Sequence, residues 1–269
     1  MSTDEEPASG PAADAPPPRT GGRTSAAGSA LEKSMRVLEA VAAPGGPHRL
    51  ADLTTAAAVP KSSTFRILAS LVEQDFVRVD GDSRYTAGPR LRALAARVGA
   101  AEPASIERIL ADLHRATGQT VHLALRTGET LTYIRKVEGD QPIRTASRIG
   151  MRMPLHSTAI GKSLLAHLPD EEVDAIVAAT GLPARTPRTL TTRHALDAQR
   201  ALARVEGYAL DDEENEATIR CIGTAVLDPA GRPLGGVSVT TVTFLVPLEE
   251  ITSYAPALRA AGLALAPLL

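Results

Sequence analysis

The hydrophobic period of the chain changes from 3.6 to 2 residues near Gln74, and this change limits the folds open to the first third. Before it, apolar residues recur at helical spacing in three segments, the last of which is VPKSSTFRILASLVEQDFV, from Val59 to Val77. After it, residues 76–79 and 84–86 alternate on either side of an Asp-Gly-Asp turn. Three helices followed by a two-stranded hairpin predict a winged helix-turn-helix unit.

The third predicted helix holds the residues best placed to contact DNA. Successive helical residues turn by about 100°, so its apolar residues share one arc and its polar residues share the opposite arc. In a helix-turn-helix unit the start of this helix enters the major groove, where arginine forms two hydrogen bonds with guanine. Hydroxyl residues are also common at helix starts for capping alone, but the order of elements and the basic hairpin favour DNA. The candidate DNA-binding residues are Lys61, Ser62, Ser63, Arg66 and Ser70 on the helix, and Arg78 and Arg84 on the hairpin.

Charge divides the chain into a basic part and an acidic part. Residues 31–99 hold ten Lys and Arg against seven Asp and Glu, whereas residues 100–269 hold seventeen against twenty. This asymmetry favours a nucleic-acid-binding unit joined to a second unit of another function. The single cysteine, Cys221, excludes an internal disulfide, and no apolar run approaches the roughly 18 residues that span a bilayer. These features predict a cytoplasmic protein without a membrane partner.

The N-terminal segment differs in composition from the rest of the chain. Residues 1–29 are acidic at first and then rich in Pro, Gly and Ala. They lack the apolar core of a signal peptide and any apolar pattern that would bury surface against a domain. We therefore expect residues 1–29 to form a disordered tail.

The second half of the chain alternates between helical and strand patterns. Six strands are predicted, at 119–126, 130–137, 143–148, 208–212, 219–228 and 233–242. Five helices are predicted, at 106–117, 157–167, 171–179, 195–206 and 248–264. Because the strands are joined as hairpins with helices around them, the pattern indicates an antiparallel α+β domain and not a doubly wound sheet.

The patterns that carry chemistry in enzymes are incomplete in this chain. Residues 159–163 end like a phosphate-binding loop, but the glycine required five residues before Gly161 is replaced by His156. No activating base stands beside Cys221 in the sequence, and a lone cysteine is usually a small buried apolar residue. The six histidines have no metal-ligand spacing, so we assign no catalytic residue, no metal and no cofactor. The acidic run at 211–214 fits either a solvated face or a loop that turns one oxygen inward.

Four stretches of the sequence resemble the IclR family of bacterial transcriptional regulators. One covers the predicted winged helix, from SALEKSMRVLEAV to SRYTAGPRL. The others, MPLHSTAIGKSLLAHLP, TPRTLTTRHALDAQRALARVEGYALDDEEN and IRCIGTAVLDPAGRPLGGVSVT, are similar to that family's effector domain in order and spacing. The resemblance implies an α+β chain with a winged helix-turn-helix at 30–88, a linker helix at 89–102 and an antiparallel-sheet, GAF-like α/β effector-binding domain at 103–269. It also implies homodimers or homotetramers built through the DNA-binding halves.

The family pattern, carried over residue by residue, implies a small-molecule pocket. The Ala159 and Ile160 amides, at the start of a helix, suit a carboxylate. A few polar groups beside an apolar wall suit a small organic or aromatic acid. The implied effector-binding residues are Met153, Ala159, Ile160, Asp211, Ile219, Cys221, Ser238 and Thr240.

Two positions depart from the family pattern. Ala217-Thr218 stands where relatives often have glycine, and a residue with a Cβ resists positive φ, so we expect the loop beside the pocket to differ. Thr240 stands where relatives often have serine, and its extra methyl narrows the cavity.

Residues and resemblance together predict a transcriptional regulator, most simply a repressor. Its partners would be a pseudo-palindromic double-stranded DNA operator and a small organic-acid effector. Two other classes stay open: a metabolite-processing or metabolite-binding domain with an N-terminal anchor, and an architectural DNA-binding protein without a ligand. The lack of a paired nucleophile and base weighs against the first class, and the size of the second domain weighs against the other.

Overall fold

The computed structural model describes residues 29–101, 104–142 and 144–269, so the predicted tail lies outside the described residues except for Ser29. The chain divides into two compact units between Ala93 and Leu94, and each unit is described by itself. No helix among the described residues is long and apolar enough to cross a membrane.

The first unit contains three helices, as the hydrophobic periods predict. They are α1 (Ala30–Ala42), α2 (Leu50–Ala57) and α3 (Lys61–Glu73). Ser29 caps α1, since its side chain accepts a hydrogen bond from the Glu32 amide at 3.1 Å. Pro60 is the N-cap of α3. Leu53 and Leu68 are buried between the helices, together with Val37.

A small antiparallel sheet completes the first unit. Its strands are β1 (His48–Arg49), β2 (Val77–Val79) and β3 (Arg84–Ala87), in the order β1-β3-β2. The hairpin of β2 and β3 was predicted from the sequence, whereas the short strand β1 was not. Gly88 follows β3 where a Cβ would lie 2.2 Å from the Asp75 carbonyl oxygen, so only glycine allows this close approach.

The second unit is built on a six-stranded antiparallel sheet in the order β6-β5-β4-β9-β8-β7. The strands are β4 (Thr120–Thr127), β5 (Thr130–Val137), β6 (Arg152–Pro154), β7 (Ala209–Asp212), β8 (Ile219–Leu227) and β9 (Pro233–Val242). Helix α4 (Pro89–Ala101) contains the boundary between the two units. The helices after it are α5 (Ala104–Thr117), α6 (Ala159–Ala166), α7 (Asp170–Thr180), α8 (Arg193–Glu206), α9 (Leu248–Ser253) and α10 (Ala255–Leu265), with a final 3₁₀ turn (Ala266–Leu268). The sheet and its connections agree with the predicted antiparallel α+β architecture.

The two faces of the large sheet bury different sets of residues. On one face, Val237 and Val239 of β9 pack with Leu110 of α5 and Leu258 of α10. On the other face, the apolar cluster that includes Ile160 and Leu164 of α6 covers only part of the sheet. The remaining part of that face carries polar side chains, which surround a cavity.

The predicted strand at 143–148 is wrong over the residues that the structure describes. Residues 144–148 form an irregular loop, Ile143 lies outside the described residues, and the edge strand is β6. The Thr145 and Ser147 carbonyls accept hydrogen bonds from the Lys136 ammonium at 3.3 and 2.8 Å, so these groups are bound by a side chain instead of a strand ladder.

The single predicted C-terminal helix is also wrong, because it is broken at Tyr254 into α9 and α10. Pro256 has no N–H to donate to the Thr252 carbonyl, so the helical ladder ends there. Proline was visible in the sequence, so the break was predictable.

Candidate effector pocket and DNA-binding surface

Strand pairing brings distant polar residues together on one face of the large sheet. Cys221 of β8 lies between Asp211 of β7 and Thr240 of β9. Ser238, two residues before Thr240 on β9, pairs with His122 of the next strand, β4. Because strand residues two apart share a face, these five side chains point to the same side of the sheet.

Helix α6 begins directly against these strands. Its N-cap, Thr158, accepts a hydrogen bond from the Gly161 amide at 3.2 Å, which leaves the Ala159 and Ile160 amides at the open end of the helix. The close approach depends on Gly223 of β8, where a Cβ would lie 2.7 Å from the Ile160 nitrogen. The partial positive charge of the helix start therefore faces the polar side chains of the sheet.

These elements enclose a cavity of about 60 Å³. All eight residues that the resemblance implied for the pocket line it. The cavity is also lined by residues that the sequence did not assign, among them His122, Tyr133, Ser147, Met151, Arg185, Asn215 and Glu216.

Asp211 is the most buried acid of the cavity and binds the loop after β7. Its Oδ1 accepts hydrogen bonds from the Glu214 and Asn215 amides at 2.8 and 3.2 Å. Burial raises the pKa of Asp211 to about 7, although those two amides and Lys162 act in the opposite direction. One oxygen of the acidic run does turn inward, as one of the two sequence alternatives required.

A buried ion pair fixes the same loop to α6. The Lys162 ammonium is fully buried and bonds Glu214 Oε1, while Glu214 Oε2 is buried without a partner among the described residues. Burial raises the pKa of Glu214, and Lys162 opposes that change. The Thr189 hydroxyl holds the Glu214 carbonyl at 2.6 Å, so side chain and backbone are both restrained.

A chain of hydrogen bonds links four residues that line the cavity. His122 Nε2 lies 2.7 Å from the Ser147 hydroxyl, and its Nδ1 lies 3.3 Å from the Thr240 hydroxyl. Thr240 in turn lies 3.2 Å from the Cys221 sulfur. Burial and the Lys136 charge lower the pKa of His122 to about 3, so the ring is neutral near pH 7.

The loop between β7 and β8 takes the conformation that glycine usually supplies. Thr218 has φ of +66° and Glu213 has φ of +62°, although both have a Cβ. The Thr218 amide donates to Glu213 Oε2 at 2.8 Å, and its carbonyl accepts from the Thr243 amide at 2.8 Å. The expectation that the loop departs from a positive-φ conformation is therefore wrong, and these two bonds hold a strained residue in place.

The candidate DNA-binding residues lie mostly on the surface of the first unit. Lys61, Ser62, Arg66, Ser70 and Arg78 are exposed, whereas Ser63 and Arg84 are half-buried. None of the four basic side chains forms an ion pair within the described part of the chain, so all four charges are free for phosphates or bases. Phe65, the residue before Arg66, is 55% exposed.

Comparison with known proteins gives the same division of the chain. The model of the IclR helix-turn-helix domain matches residues 30–81, and the model described as bacterial transcriptional regulator IclR C-terminal matches residues 103–266. The chain belongs to the IclR family of bacterial transcriptional regulators.

Individual relatives extend this similarity. The HTH-type transcriptional regulator XynR of Escherichia coli (strain K12) is 42% identical over 156 residues, which cover 58% of this chain and 62% of XynR. The structure of the Thermotoga maritima IclR is 32% identical, with a TM-score of 0.68 over 88% of this chain and 97% of that one. An IclR homolog from Microbacterium hydrocarbonoxydans, complexed with 4-hydroxybenzoate, is 21% identical, with a TM-score of 0.73 over 89% of this chain and 98% of that one. At that identity the likeness concerns the fold alone.

Because the chain belongs to the IclR family, it is a DNA-binding transcriptional regulator and not an enzyme. The two side chains that resemble those of a phosphate-binding loop have structural partners instead. Lys162 is committed to Glu214, and the Ser163 hydroxyl accepts from the Ala225 amide at 2.8 Å. Burial and Asp211 raise the pKa of Cys221, so its sulfur is a thiol and a poor nucleophile.

Proposed function

We propose that this IclR-family regulator binds a pseudo-palindromic operator as a homodimer or homotetramer, and that a small organic or aromatic acid in the cavity controls this binding. The observation that carries the proposal is a cavity of about 60 Å³ whose lining combines the amides at the start of α6, the Ser238 hydroxyl and the buried Asp211 carboxyl. The regulator is most simply a cytoplasmic repressor, since a protein bound across a promoter obstructs polymerase. The units are a winged helix at 30–88, a linker helix at 89–102 and an effector domain at 103–269.

The start of α3 supports the DNA half of the proposal. Lys61, Ser62 and Arg66 are exposed together over its first two turns. Guanidinium and hydroxyl groups in that position read base edges and phosphates in the major groove. Phe65 adds an apolar contact of the kind that fits a thymine methyl group.

Exposed apolar residues support self-association. Leu31 and Met35 of α1 are 67% and 47% exposed, and Leu94 and Val98 of α4 also face solvent. Each pair recurs at a spacing of four residues, so it forms a stripe along one side of its helix. Burying such stripes against a second copy removes apolar surface from water.

The lining of the cavity supports an acidic ligand with a second polar group. The Ala159 and Ile160 amides and the Ser238 hydroxyl are donors for a carboxylate. Asp211 repels that carboxylate unless it accepts a hydrogen bond from the ligand or is itself protonated. A ligand with a hydroxyl group besides its acid satisfies this condition.

The test combines operator selection with calorimetry on the full chain. Duplexes selected from a randomised pool should contain an inverted repeat, and fluorescence anisotropy should show that a binding acid shifts affinity for them. The coupling should be about 1–3 kcal/mol and equal in both directions, because linkage is reciprocal. A selected site without symmetry, or an acid that binds without changing DNA affinity, would contradict the proposal.

A further inference from the structure

Arg185 is the only arginine or lysine among the described residues that line the cavity. The same lining contains two carboxyl groups, those of Asp211 and Glu216. The ring of His122, which also lines the cavity, is neutral near pH 7 because its pKa is lowered to about 3. Without Arg185 the lining side chains would therefore carry no positive charge, and an anion among them would be repelled.

Hydrogen bonds hold the segment around Arg185 against the loop after β7. The Arg185 amide donates to the Thr189 hydroxyl at 2.9 Å, and that buried hydroxyl donates to the Glu214 carbonyl at 2.6 Å. The Thr186 hydroxyl donates to the Glu213 carbonyl, also at 2.6 Å. The backbone that presents the Arg185 side chain is therefore restrained by three hydrogen bonds.

The side chain of Arg185 is connected to the residues that lead into α6. Its Nε donates to the Asn215 carbonyl at 3.1 Å, and the Asn215 side-chain oxygen accepts from the Ser157 hydroxyl at 3.3 Å. Ser157 directly precedes Thr158, the N-cap of α6. Two hydrogen bonds through one residue, Asn215, thus connect the guanidinium to the helix start whose amides suit a carboxylate.

The two Nη groups of Arg185 are free to bind a ligand. Neither forms a hydrogen bond within the described residues, and the guanidinium has no carboxylate partner there. Arg185 is exposed to solvent and also lines the cavity, so it lies at the mouth. Because the Nη groups form a planar fork, they can bind both oxygens of one carboxylate.

Arg188, three residues further along the same segment, is already paired. Its guanidinium lies 2.6 Å from an Asp212 carboxylate oxygen and 3.7 Å from one of Glu213. It is not among the described residues that line the cavity. The segment therefore holds two exposed arginines, of which only Arg185 has an unpaired charge beside the cavity.

We propose that Arg185 binds a carboxylate of the effector at the mouth of the cavity and selects anionic ligands over neutral ligands of the same shape. This inference rests on the proposed function, since it assumes that an acid occupies the cavity. The α6 amides and Ser238 also donate to neutral carbonyl groups, whereas the full positive charge of Arg185 favours a carboxylate. Arg185 is thus the residue that determines specificity for charge.

The experiment is calorimetry of the full chain with acids and their primary amides. Acetate, lactate, benzoate and 4-hydroxybenzoate are each compared with the amide of the same skeleton, which has nearly the same shape and no charge. At least one acid should bind, and its amide should bind at least about 10-fold more weakly.

Variants at the two arginines separate a local charge from the net charge. Arg185→Gln should weaken the acid about 10-fold and leave the amide unchanged, so the ratio of their affinities falls about 10-fold. Arg188→Gln changes the net charge equally and should leave that ratio unchanged. Arg185→Lys keeps the charge without the fork and should recover part of the loss. All three should melt near the native temperature, since both side chains are exposed.

Salt gives a second measurement that a merely structural role of Arg185 would not affect. Dissolved ions screen charges at an exposed mouth, so raising the NaCl concentration should weaken binding of the acid to the native chain. The same increase should weaken its binding to Arg185→Gln less. Equal salt dependence of the two proteins would contradict a charge contact at this residue.

The outcomes distinguish this inference from the proposed function. If Arg185→Gln weakens acid and amide alike, or if Arg188→Gln lowers the ratio equally, Arg185 is not the residue that selects charge. The proposed function survives that result provided that Ser238→Ala still weakens the acid. If none of the four acids binds the full chain, the proposed effector class fails and the role of Arg185 fails with it.

Discussion

The position of a side chain relative to the cavity decides what its unpartnered polar atom means. Ser238 and Thr241 both lie on β9, three residues apart and on opposite faces of the sheet. The Thr241 hydroxyl is buried on the core side without a partner among the described residues, where no ligand would reach it. The Ser238 hydroxyl faces the cavity, so it is free for a ligand.

Ser238→Ala should therefore separate ligand binding from folding. We expect calorimetry to show ligand binding weakened about 10-fold, with the melting temperature nearly unchanged. Thr241→Val is the matched control and should be neutral or slightly stabilising, because an unsatisfied buried hydroxyl is removed. Thr240→Val is a poor choice for this purpose, since its hydroxyl also contacts His122 and Cys221. Undiminished binding by folded Ser238→Ala would place the ligand elsewhere.

Arg66 and Arg84 should differ in what they contribute to DNA binding. Arg66→Ala should weaken operator binding by about 1–3 kcal/mol and lower discrimination against other sequences, because a base contact is lost. Arg84→Ala should weaken specific and non-specific binding alike, as expected of a phosphate contact. Anisotropy titrations at matched salt with operator and scrambled duplexes measure both quantities. Unchanged discrimination by Arg66→Ala would show that another face of α3 reads DNA.

Asp211 should make stability depend on pH near neutrality. Its folded-state pKa of about 7 lies above the usual value of 3.8, so the folded state holds the proton more tightly than the unfolded state. Its favourable contribution is complete below pH of about 4 and is lost as pH rises through about 7. The stability of Asp211→Asn relative to the native chain should therefore increase between pH 5 and 8 by calorimetry. Glu214, Lys162 and Cys221 surround this carboxyl and are common to both proteins, so a parallel pH dependence would refute the assignment.

At the scale of elements, the loop from 213 to 218 contains backbone strain that a substitution can remove. A β-branched residue at positive φ costs about 1–2 kcal/mol. Thr218→Gly should raise the free energy of unfolding by about 1 kcal/mol, after the greater freedom of glycine in the unfolded chain is subtracted. Ala217→Gly, at a neighbouring residue without positive φ, should lower it by about 0.5–1 kcal/mol. Urea unfolding of the two variants should give opposite signs, and two changes of the same sign would mean that Thr218 is not strained.

Most elements were predictable because their information is local. Helices α1 to α3 follow from apolar spacing, and the hairpin of β4 and β5 follows from alternation around Gly128. The irregular loop at 144–148 was not predictable, because Lys136 binds its carbonyls from another strand. The local sequence pattern indicates which secondary structure a segment prefers. It does not show that a distant side chain overrides that preference.

The cavity was predictable only in part for a similar reason. The resemblance supplied eight lining residues, among them Asp211 and Ser238, but it did not supply Tyr133. A bulge between Leu123 and Ala124 shifts the pairing of β4 with β5, so that Ala124 pairs with Tyr133. Register shifts of this kind move a side chain to the other face of a sheet, and the sequence gives no sign of this one.

At the scale of the whole molecule, self-association and DNA symmetry should appear together. A dimeric winged-helix protein should protect two half-sites whose centres are about one helical turn, or a multiple of it, apart. Footprinting of the selected operator and sedimentation of the same preparation test both features. A monomer that protects one asymmetric half-site would contradict the proposed assembly.

The order of strands also determines when the regulator becomes able to respond to its effector during its own synthesis. β4 pairs with β9, and all of residues 128–232 lie between those strands in the chain. Such non-local pairing forms slowly, since a long loop must close before the contact is gained. The winged helix has short-range contacts and leaves the ribosome first, so we expect it to fold early. A newly made molecule should therefore be able to occupy DNA before its cavity exists, and for that interval no concentration of effector would change its affinity for DNA.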